Sequence, residues 1–439
     1  MIQQEQGAAG AERRLMDALA DELSAGGGRL QSGALSGEIR ALADREETEF
    51  RESLDTLARL AIRQADGRDA PGALALYLRS RPELDGTPEA ERLAGVLAKL
   101  RTGGSAFRES AGSQAAGKEA APKVSVIITT YNRRDFLKQA VESILAQDYP
   151  NKEVTVIDDA STDGTDTLMR GAFGGEERVF YMRNEANRGP GVNRLAAFEA
   201  HGDGEFVLFL DDDDYLIDPG YFSRAVAFHR EHPGLSFVAA NVFLEYTAER
   251  RLDLQELGLA EITGRRDFFL NFERPGYGKP ASTLTTVFRR QALIDMNISQ
   301  MNMVNDSSIY LRSLLVGDAG FIDCVAGVYR IHGSNITFSL SRDFLVRNLE
   351  EKRSIRQLAL DRYGYRNQEL TPWFENTSYD TIVYYLRNSA KTSEDYSYMF
   401  RWTRDHCPGV YGQVKREFGR KRIKKQILQV PLVRMLVRR

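Results

Sequence analysis

The run Phe206-Val-Leu-Phe-Leu210 contains no polar residue, and four aspartates, Asp211 to Asp214, follow it without a break. A strand that is apolar on both faces must be covered on both, which is the environment of a parallel sheet between helical layers. Sheets of this kind bind ligands beyond the C-terminal ends of their strands, and that is where the carboxylates fall. Spread over about 10 to 14 Å of extended chain, they repel one another. Keeping them ionised at the edge of a core calls for a compensating cation, and hard oxygen donors select Mg²⁺ or Mn²⁺ over softer metals. Mg²⁺ is typically held by one or two carboxylates plus substrate phosphates, so a nucleotide diphosphate is the first partner suggested. From the run alone, a solvated acidic turn is the competing reading.

The flanking pattern favours an α/β domain. Val124 to Thr129 is a β-branched run, Phe136, Leu137, Ala140, Val141, Ile144 and Leu145 form a helical stripe, and Val154 to Ile157 is a second strand. Val179 to Met182, a helix across Val192 to Ala200, and Phe206 to Leu210 continue the series. Repeated βαβ units imply a mostly parallel sheet with right-handed crossovers. Residues 1–100, rich in Ala, Leu, Arg and Glu, read as an α-helical accessory region, and residues 101–122 as a flexible linker. Residues 123–340 form the α/β domain, and residues 341–439 a second helical region.

Composition narrows the partners. A formal net charge of -3 argues against a nucleic-acid-binding surface. Cys324 and Cys407 lack pairing or metal-ligand spacing, which fits a reducing cytoplasm and excludes a cysteine-based zinc site. The chain shows no apolar stretch long enough to span a bilayer and no apolar signal region in Met1 to Gly10. Its last 29 residues, 411–439, hold ten Lys or Arg against one acid, Glu417, interleaved with Ile, Leu and Val. Such a segment suits an anionic membrane surface, so the expected location is cytoplasmic, peripheral at the inner membrane face; an ordinary terminal helix packed on the protein is the alternative. Nothing in the sequence sets an oligomeric state.

Along the C-terminal edge of this sheet, Thr129 ends the first strand, Asp158 and Asp159 the second, and the aspartate run the strand at Phe206. No G-x-G-x-x-G follows the first strand, which disfavours a dinucleotide-binding dehydrogenase. Asp159 can accept hydrogen bonds from a ribose or a base; its local alternative is an N-cap or Asx-turn, given Ser161 and Thr162. Together these positions describe a mononucleotide pocket with a metal at its diphosphate end.

Four ordered blocks carry a family resemblance: Val124-Ser-Val-Ile-Ile-Thr-Thr-Tyr-Asn-Arg133, Val156-Ile-Asp-Asp-Ala-Ser-Thr-Asp-Gly-Thr165, Asn187-Arg-Gly-Pro-Gly-Val-Asn-Arg194 and Phe209-Leu-Asp-Asp-Asp-Asp214. They resemble family 2 glycosyltransferases of the GT-A fold, over about residues 123–340. The resemblance implies a nucleotide-sugar donor, with Thr129, Tyr131 and Asp159 holding base and ribose and Arg194 near the base or diphosphate. It implies the D-x-D metal motif at Asp211 and Asp213, with Asp212 near ribose and phosphate. Val304-Asn-Asp306-Ser-Ser-Ile-Tyr-Leu-Arg312 resembles the segment whose Asp is the general base of inverting members, so Asp306 takes that role, with Asn305 where the family has an acid. Judged alone, Asp306 reads as a helix N-cap before Ile309 and Leu311. Val328-Tyr-Arg-Ile-His332 resembles the block that closes many of these domains, making His332 a metal or diphosphate contact; a hydrogen-bonded structural histidine is its alternative.

The implied activity is metal-dependent, inverting transfer from a UDP-sugar to a hydroxyl of a glycan, glycolipid or glycoprotein acceptor, in surface polysaccharide or glycoconjugate synthesis. A sugar nucleotidyltransferase would show a glycine-rich phosphate loop where this chain has Thr129-Thr-Tyr-Asn. The Asn305 departure also leaves room for a non-catalytic nucleotide-binding scaffold.

Overall fold

Strand β1 (Val124–Thr130) is buried at every position, and its alternate side chains enter different cores. Val126 and Ile128 join one apolar cluster, and Ile127 joins the other. The strand carrying the aspartates, β4 (Phe206–Asp211), divides likewise: Phe206, Leu208 and Leu210 face the first cluster, Val207 and Phe209 the second. Burying each such side chain contributes roughly 1.5 to 3 kcal/mol, so neither strand is stable with a face uncovered. This computed structural model describes residues 121–247, 251–332 and 342–428. The accessory region 1–100, nearly all of the linker 101–122, and the end of the basic tail lie outside them.

The first half is a βα series. Helix α1 (Arg134–Leu145) forms because Leu137, Ala140, Val141 and Ile144 recur at helical spacing and bury one stripe. Strand β2 (Lys152–Asp158), helix α2 (Thr165–Phe173), strand β3 (Val179–Arg183) and helix α3 (Pro190–His201) follow before β4. Strands β3, β2, β1 and β4 lie side by side and parallel, with Thr129 opposite Ile157 on one side and Asp211 on the other. Register thus lines up the C-terminal ends of β1, β2 and β4.

Beyond β4 the sheet becomes mixed. Short β5 (Tyr215–Leu216) and helix α4 (Tyr221–Glu231) lead to the long β6 (Leu235–Tyr246), β7 (Arg251–Gln255) and β8 (Ile262–Thr263). Helix α5 (Arg265–Asn271), β9 (Val287–Arg289), helix α6 (Arg290–Asp295), helix α7 (Asp306–Val316) and β10 (Asp318–Ile331) complete the domain. Strand β9 is antiparallel to β4 and β6 and joins the two halves, while β6 and β10 run parallel over the longest ladder. The α/β class with a mostly parallel, mixed sheet follows the expectation; the antiparallel insertion of β9 falls in the segment whose sequence lacks a clean period.

Helices α8 (Arg342–Arg362), α9 (Asn367–Asn388), α10 (Ser393–His406) and α11 (Pro408–Leu428) form the expected C-terminal helical region. Leu345, Leu349, Ile355, Trp373 and Phe374 belong to the same cluster as Ile127, Phe209 and Tyr310, so this layer shares the core under one face of the sheet. Among the described residues, no helix is long and apolar enough to cross a membrane.

His229 on α4 is fully buried, with Phe206 4.7 Å away ring to ring and its Nε2 donating to the Val287 carbonyl at 2.8 Å, which fastens β9. Burial holds its pKa down at about 4, against an ordinary 6.5. Between those values the unfolded chain binds a proton that the folded chain does not, so stability is full above about pH 6.5 and lost as pH falls toward 4. Acidification to about pH 4.5 is expected to remove about 2 to 3 kcal/mol through this group. Urea unfolding of wild type and His229→Gln at pH 7 and 4.5 checks it; an equally steep acid loss in the variant would place the lability elsewhere.

Candidate functional site

The aspartate run ends β4 at a tight turn, in which the Asp214 N–H reaches the Asp211 carbonyl at 3.1 Å. The turn fans the four side chains apart. Asp211 is about a third exposed (32%) and Asp212, Asp213 and Asp214 are buried, so each has different neighbours.

Arg194, buried on α3, donates from one guanidinium nitrogen to Asp211 and from another to Asp306 Oδ1 at 2.7 Å. Arg133, just before α1, bridges Asp212 Oδ1 (3.1 Å) and Asp213 Oδ2 (2.7 Å). His332 Nε2 stands 3.0 Å from Asp213 Oδ2, with its ring beside Phe136. Arg330 holds the base of the turn: its backbone N–H donates to Asp214 Oδ1 and its guanidinium to the Asp213 carbonyl, both at 3.0 Å. The same guanidinium sits over the Tyr215 and Phe136 rings and pairs with Glu245 at 3.1 Å. Ser282 donates to the other Asp214 oxygen at 3.1 Å.

These surroundings separate the carboxylates. Burial, then the charge of Asp213, pushes Asp212 up to about 7 against the pull of Arg133. Burial and the charges of Asp213 and Asp211 push Asp214 well above the ordinary carboxylate range. Asp211 is raised by burial and by Asp306 and Asp213, with Arg194 opposing. Burial also acts on Asp213, but hydrogen bonding to His332 and the charge of Arg133 outweigh it and hold Asp213 below its usual value. Asp213 is thus the one member of the run whose surroundings favour the charged form over the ordinary carboxylate. One carboxylate oxygen from each of Asp211, Asp213 and Asp214 lies within 4.8 Å of the others. This all-oxygen set suits a hard divalent cation, and the sequence-proposed ligand His332 lies beside it.

The nucleotide end is built on β1 and β2. Thr129 is buried beside Asp211 in register, and Tyr131, just past β1, is 48% exposed. The Asp159 N–H donates to the Thr130 carbonyl at 2.9 Å, which fixes it against β1. Its carboxylate accepts from the backbone N–H groups of Arg188 and Gly189, both at 2.8 Å, and from Asn184 at 2.9 Å. Burial raises Asp159, but the nearby Asn193 amide and hydrogen bonds from the Arg188 N–H, Asn184 and the Gly189 N–H leave it below the ordinary range. Asp159 therefore shapes the turn entering α3, where Gly189 takes φ +85°. The local turn is held by Asp158 instead, whose Oδ1 accepts from the N–H of Ser161, three residues on, at 2.8 Å.

The N-cap expected of Asp306 also shifts by one residue. Asn305 caps α7, its side chain accepting from the Ser308 N–H at 2.9 Å. Asp306 is the first helical residue, about a third exposed (31%), and its carboxylate is left to face Arg194.

Comparison with known proteins comes to the same segment. Residues 125–296 match the family model described as Glycosyl transferase family 2. This part of the chain is similar to that family. A GalNAc(5)-diNAcBac-PP-undecaprenol beta-1,3-glucosyltransferase of Campylobacter jejuni is 27% identical over 227 residues, covering 51% of this chain and 69% of the relative. A putative teichuronic acid biosynthesis glycosyltransferase of Bacillus subtilis, TuaG, is 41% identical over 93 residues, covering 21% of this chain and 36% of the relative. Among solved structures, S. aureus TarS 1-349 in complex with UDP-GlcNAc superposes with a TM-score of 0.49 at 18% identity, covering 68% of this chain and 92% of that one.

The family match ends before Asp306, Arg330 and His332, so the candidate site draws three of its residues from beyond the matched segment. Arg133 and Arg330 stand inside sequence blocks that carry the resemblance, yet motif reading assigns them no role. Their signal was the charge balance: four adjacent carboxylates need cations, and protein guanidinium groups supply several.

The cap makes a testable distinction. Asn305→Ala is expected to lower stability by about 1 kcal/mol, while Asn305→Asp retains the cap and stays close to wild type. Thermal unfolding of the two variants checks this; equal losses would mean that the side chain acts otherwise than as a cap.

Proposed function

We propose that the protein is a metal-dependent, inverting glycosyltransferase that moves a sugar from a UDP-sugar to a hydroxyl of a glycan, glycolipid or glycoprotein acceptor. The observation that carries the reading is the Arg194 bridge. One buried guanidinium joins Asp211, in the acidic run, to Asp306, the proposed base, and so couples donor and acceptor sides. Surface polysaccharide or glycoconjugate synthesis is the setting favoured by the relatives, one named for an undecaprenol-linked substrate and another for teichuronic acid biosynthesis.

In this reading Thr129 and Tyr131 border the base and ribose, and Asp159 holds the Arg188-Gly189 turn against them. Asp211 and Asp213 would hold Mg²⁺ or Mn²⁺, with His332 beside Asp213 and Asp212 toward ribose and phosphate. Such an ion would supply charge to offset what grows on the departing diphosphate. Asp306 accepts the proton of the acceptor hydroxyl as that oxygen attacks the anomeric carbon from the side opposite the leaving group. The single displacement inverts the anomeric centre and forms no glycosyl-enzyme. Arg194 holds the Asp306 carboxylate in position. A purely scaffolding role drew its support from Asn305, whose capping of α7 accounts for that residue without loss of the base.

Release of UDP from a UDP-sugar panel in the presence of acceptors is expected to need Mn²⁺ or Mg²⁺ and to stop with EDTA. Asp306→Asn is expected to lower kcat by about 10²- to 10⁴-fold while UDP affinity stays within about threefold. Wild-type turnover in that variant, or retention of the anomeric configuration by NMR, would sink the mechanism.

The tail segment 411–439 is proposed to rest on an anionic membrane surface at the inner face. Deleting it is expected to abolish sedimentation with anionic vesicles but not with neutral ones. Equal sedimentation with and without the tail would end that assignment.

A further inference from the structure

We infer that Glu351, on a helix outside the family-matched segment, is a positioning residue for Asp306, clamping the stretch of chain that carries it at both ends. The inference rests on reading Asp306 as the base.

Glu351 lies on α8 and is fully buried. One carboxylate oxygen accepts the Asn302 backbone N–H at 2.7 Å, and the other accepts Arg312 Nε at 2.6 Å. Asn302 lies four residues before Asp306 and Arg312 six after it, so a single side chain grips the segment on either side of the proposed base. The rest of the Arg312 guanidinium is also held, by the Met296 carbonyl at 3.4 Å and Ser354 Oγ at 3.3 Å.

The next residue supplies a second tie. Lys352 Nζ donates to Glu273 Oε2 at 2.7 Å and to the Thr377 carbonyl at 3.0 Å. Glu273 in turn lies beside the side chain of Ser307, the neighbour of Asp306. Glu351 thus reaches Asn302 and Arg312, and Arg194 reaches Asp306 itself. Displacing the segment that carries Asp306 strains or breaks its hydrogen bonds to Glu351. Since displacement of about 1 Å can cost a reaction about a hundredfold in rate, such a clamp has a kinetic consequence.

Stability alone is a poor explanation for the arrangement. Replacing both members of a buried ion pair by apolar side chains of similar volume is often neutral or stabilising, whereas removing one leaves the other uncompensated. The double variant Arg312→Met/Glu351→Met therefore accompanies Glu351→Gln, so that loss of the clamp is read in a folded protein.

Both variants are compared with wild type and Asp306→Asn for kcat, donor KM, UDP affinity with Mn²⁺, and hydrogen exchange of residues 302–312. The expected result for the Glu351 variants is a kcat about 10- to 100-fold lower, donor KM and UDP affinity within about twofold, and faster exchange confined to residues 302–312. Wild-type kcat in the folded double variant overturns the inference. So does a fall in kcat matched by equal loss of UDP affinity, or failure of both variants to fold, since either makes the pair merely structural. Should Asp306→Asn itself retain turnover, the base assignment fails; should it lose turnover while the Glu351 variants keep theirs, only the positioning role fails.

Discussion

Four adjacent carboxylates at the end of a strand buried on both faces can persist only if cations are built around them. Arg133 and Arg194 meet this requirement with ion pairs, and Arg330 adds hydrogen bonds from its backbone N–H and its guanidinium. Each comes from a different part of the chain: the turn after β1, the first half of α3, and the end of β10. Neutralising the run therefore also ties the nucleotide-binding half of the sheet to the half that follows β4. Asp213, held below the usual carboxylate range, and Asp214, held well above it, are neighbours in sequence shifted in opposite directions. The difference comes from what faces them: His332 and Arg133 for Asp213, and a Ser282 hydroxyl with a backbone N–H for Asp214.

The parallel register then decides which groups share the pocket. Pairing Thr129 with Asp211 places the end of β1 beside the acidic run, and the Asp159 N–H on the Thr130 carbonyl brings the end of β2 to the same edge. Because successive residues of a strand face opposite ways, a slip of one residue would send Thr129 and its neighbours to the wrong faces. The two apolar clusters prevent such a slip, since it would exchange Ile127 for Val126 and Ile128 throughout the packing.

The strands, the α1 stripe and the acidic edge were legible because each rests on a local pattern: β-branched runs, helical spacing, and charge packed against an apolar segment. Strand β9 was not, since three residues pairing antiparallel between distant strands leave no local period. Asp158 and Asp159 show a finer limit. Asp158 ends β2 and Asp159 follows it, and both can bond the turn beyond, but only the fold decides that Asp158 holds the Ser161 N–H and Asp159 the Arg188-Gly189 backbone. Asn305 and Asp306 repeat the lesson at the start of α7, where sequence identifies a cap and a carboxylate but not which residue supplies which. Arg133 and Arg330 were visible as residues and invisible as partners, because an ion pair across 79 positions and a guanidinium–carbonyl hydrogen bond across 117 have no sequence signature.

The C-terminal helices extend this argument beyond the nucleotide pocket. Their apolar residues continue one of the two sheet cores, which is sufficient reason for them to dock. Apolar docking does not explain why Glu351 and Lys352, both charged, are buried there. Desolvating a carboxylate and an ammonium costs several kcal/mol each, and hydrophobic residues of similar volume would close the same surface without that penalty. What the charged pair adds is direction: a carboxylate with two oxygens fixes an N–H and a guanidinium at once, as an alkyl group packed into a core cannot. The partners so fixed, Asn302 and Arg312, bracket Asp306. In physical terms, the helical layer supplies geometry as well as buried area, and the residue it constrains faces the acidic run through Arg194.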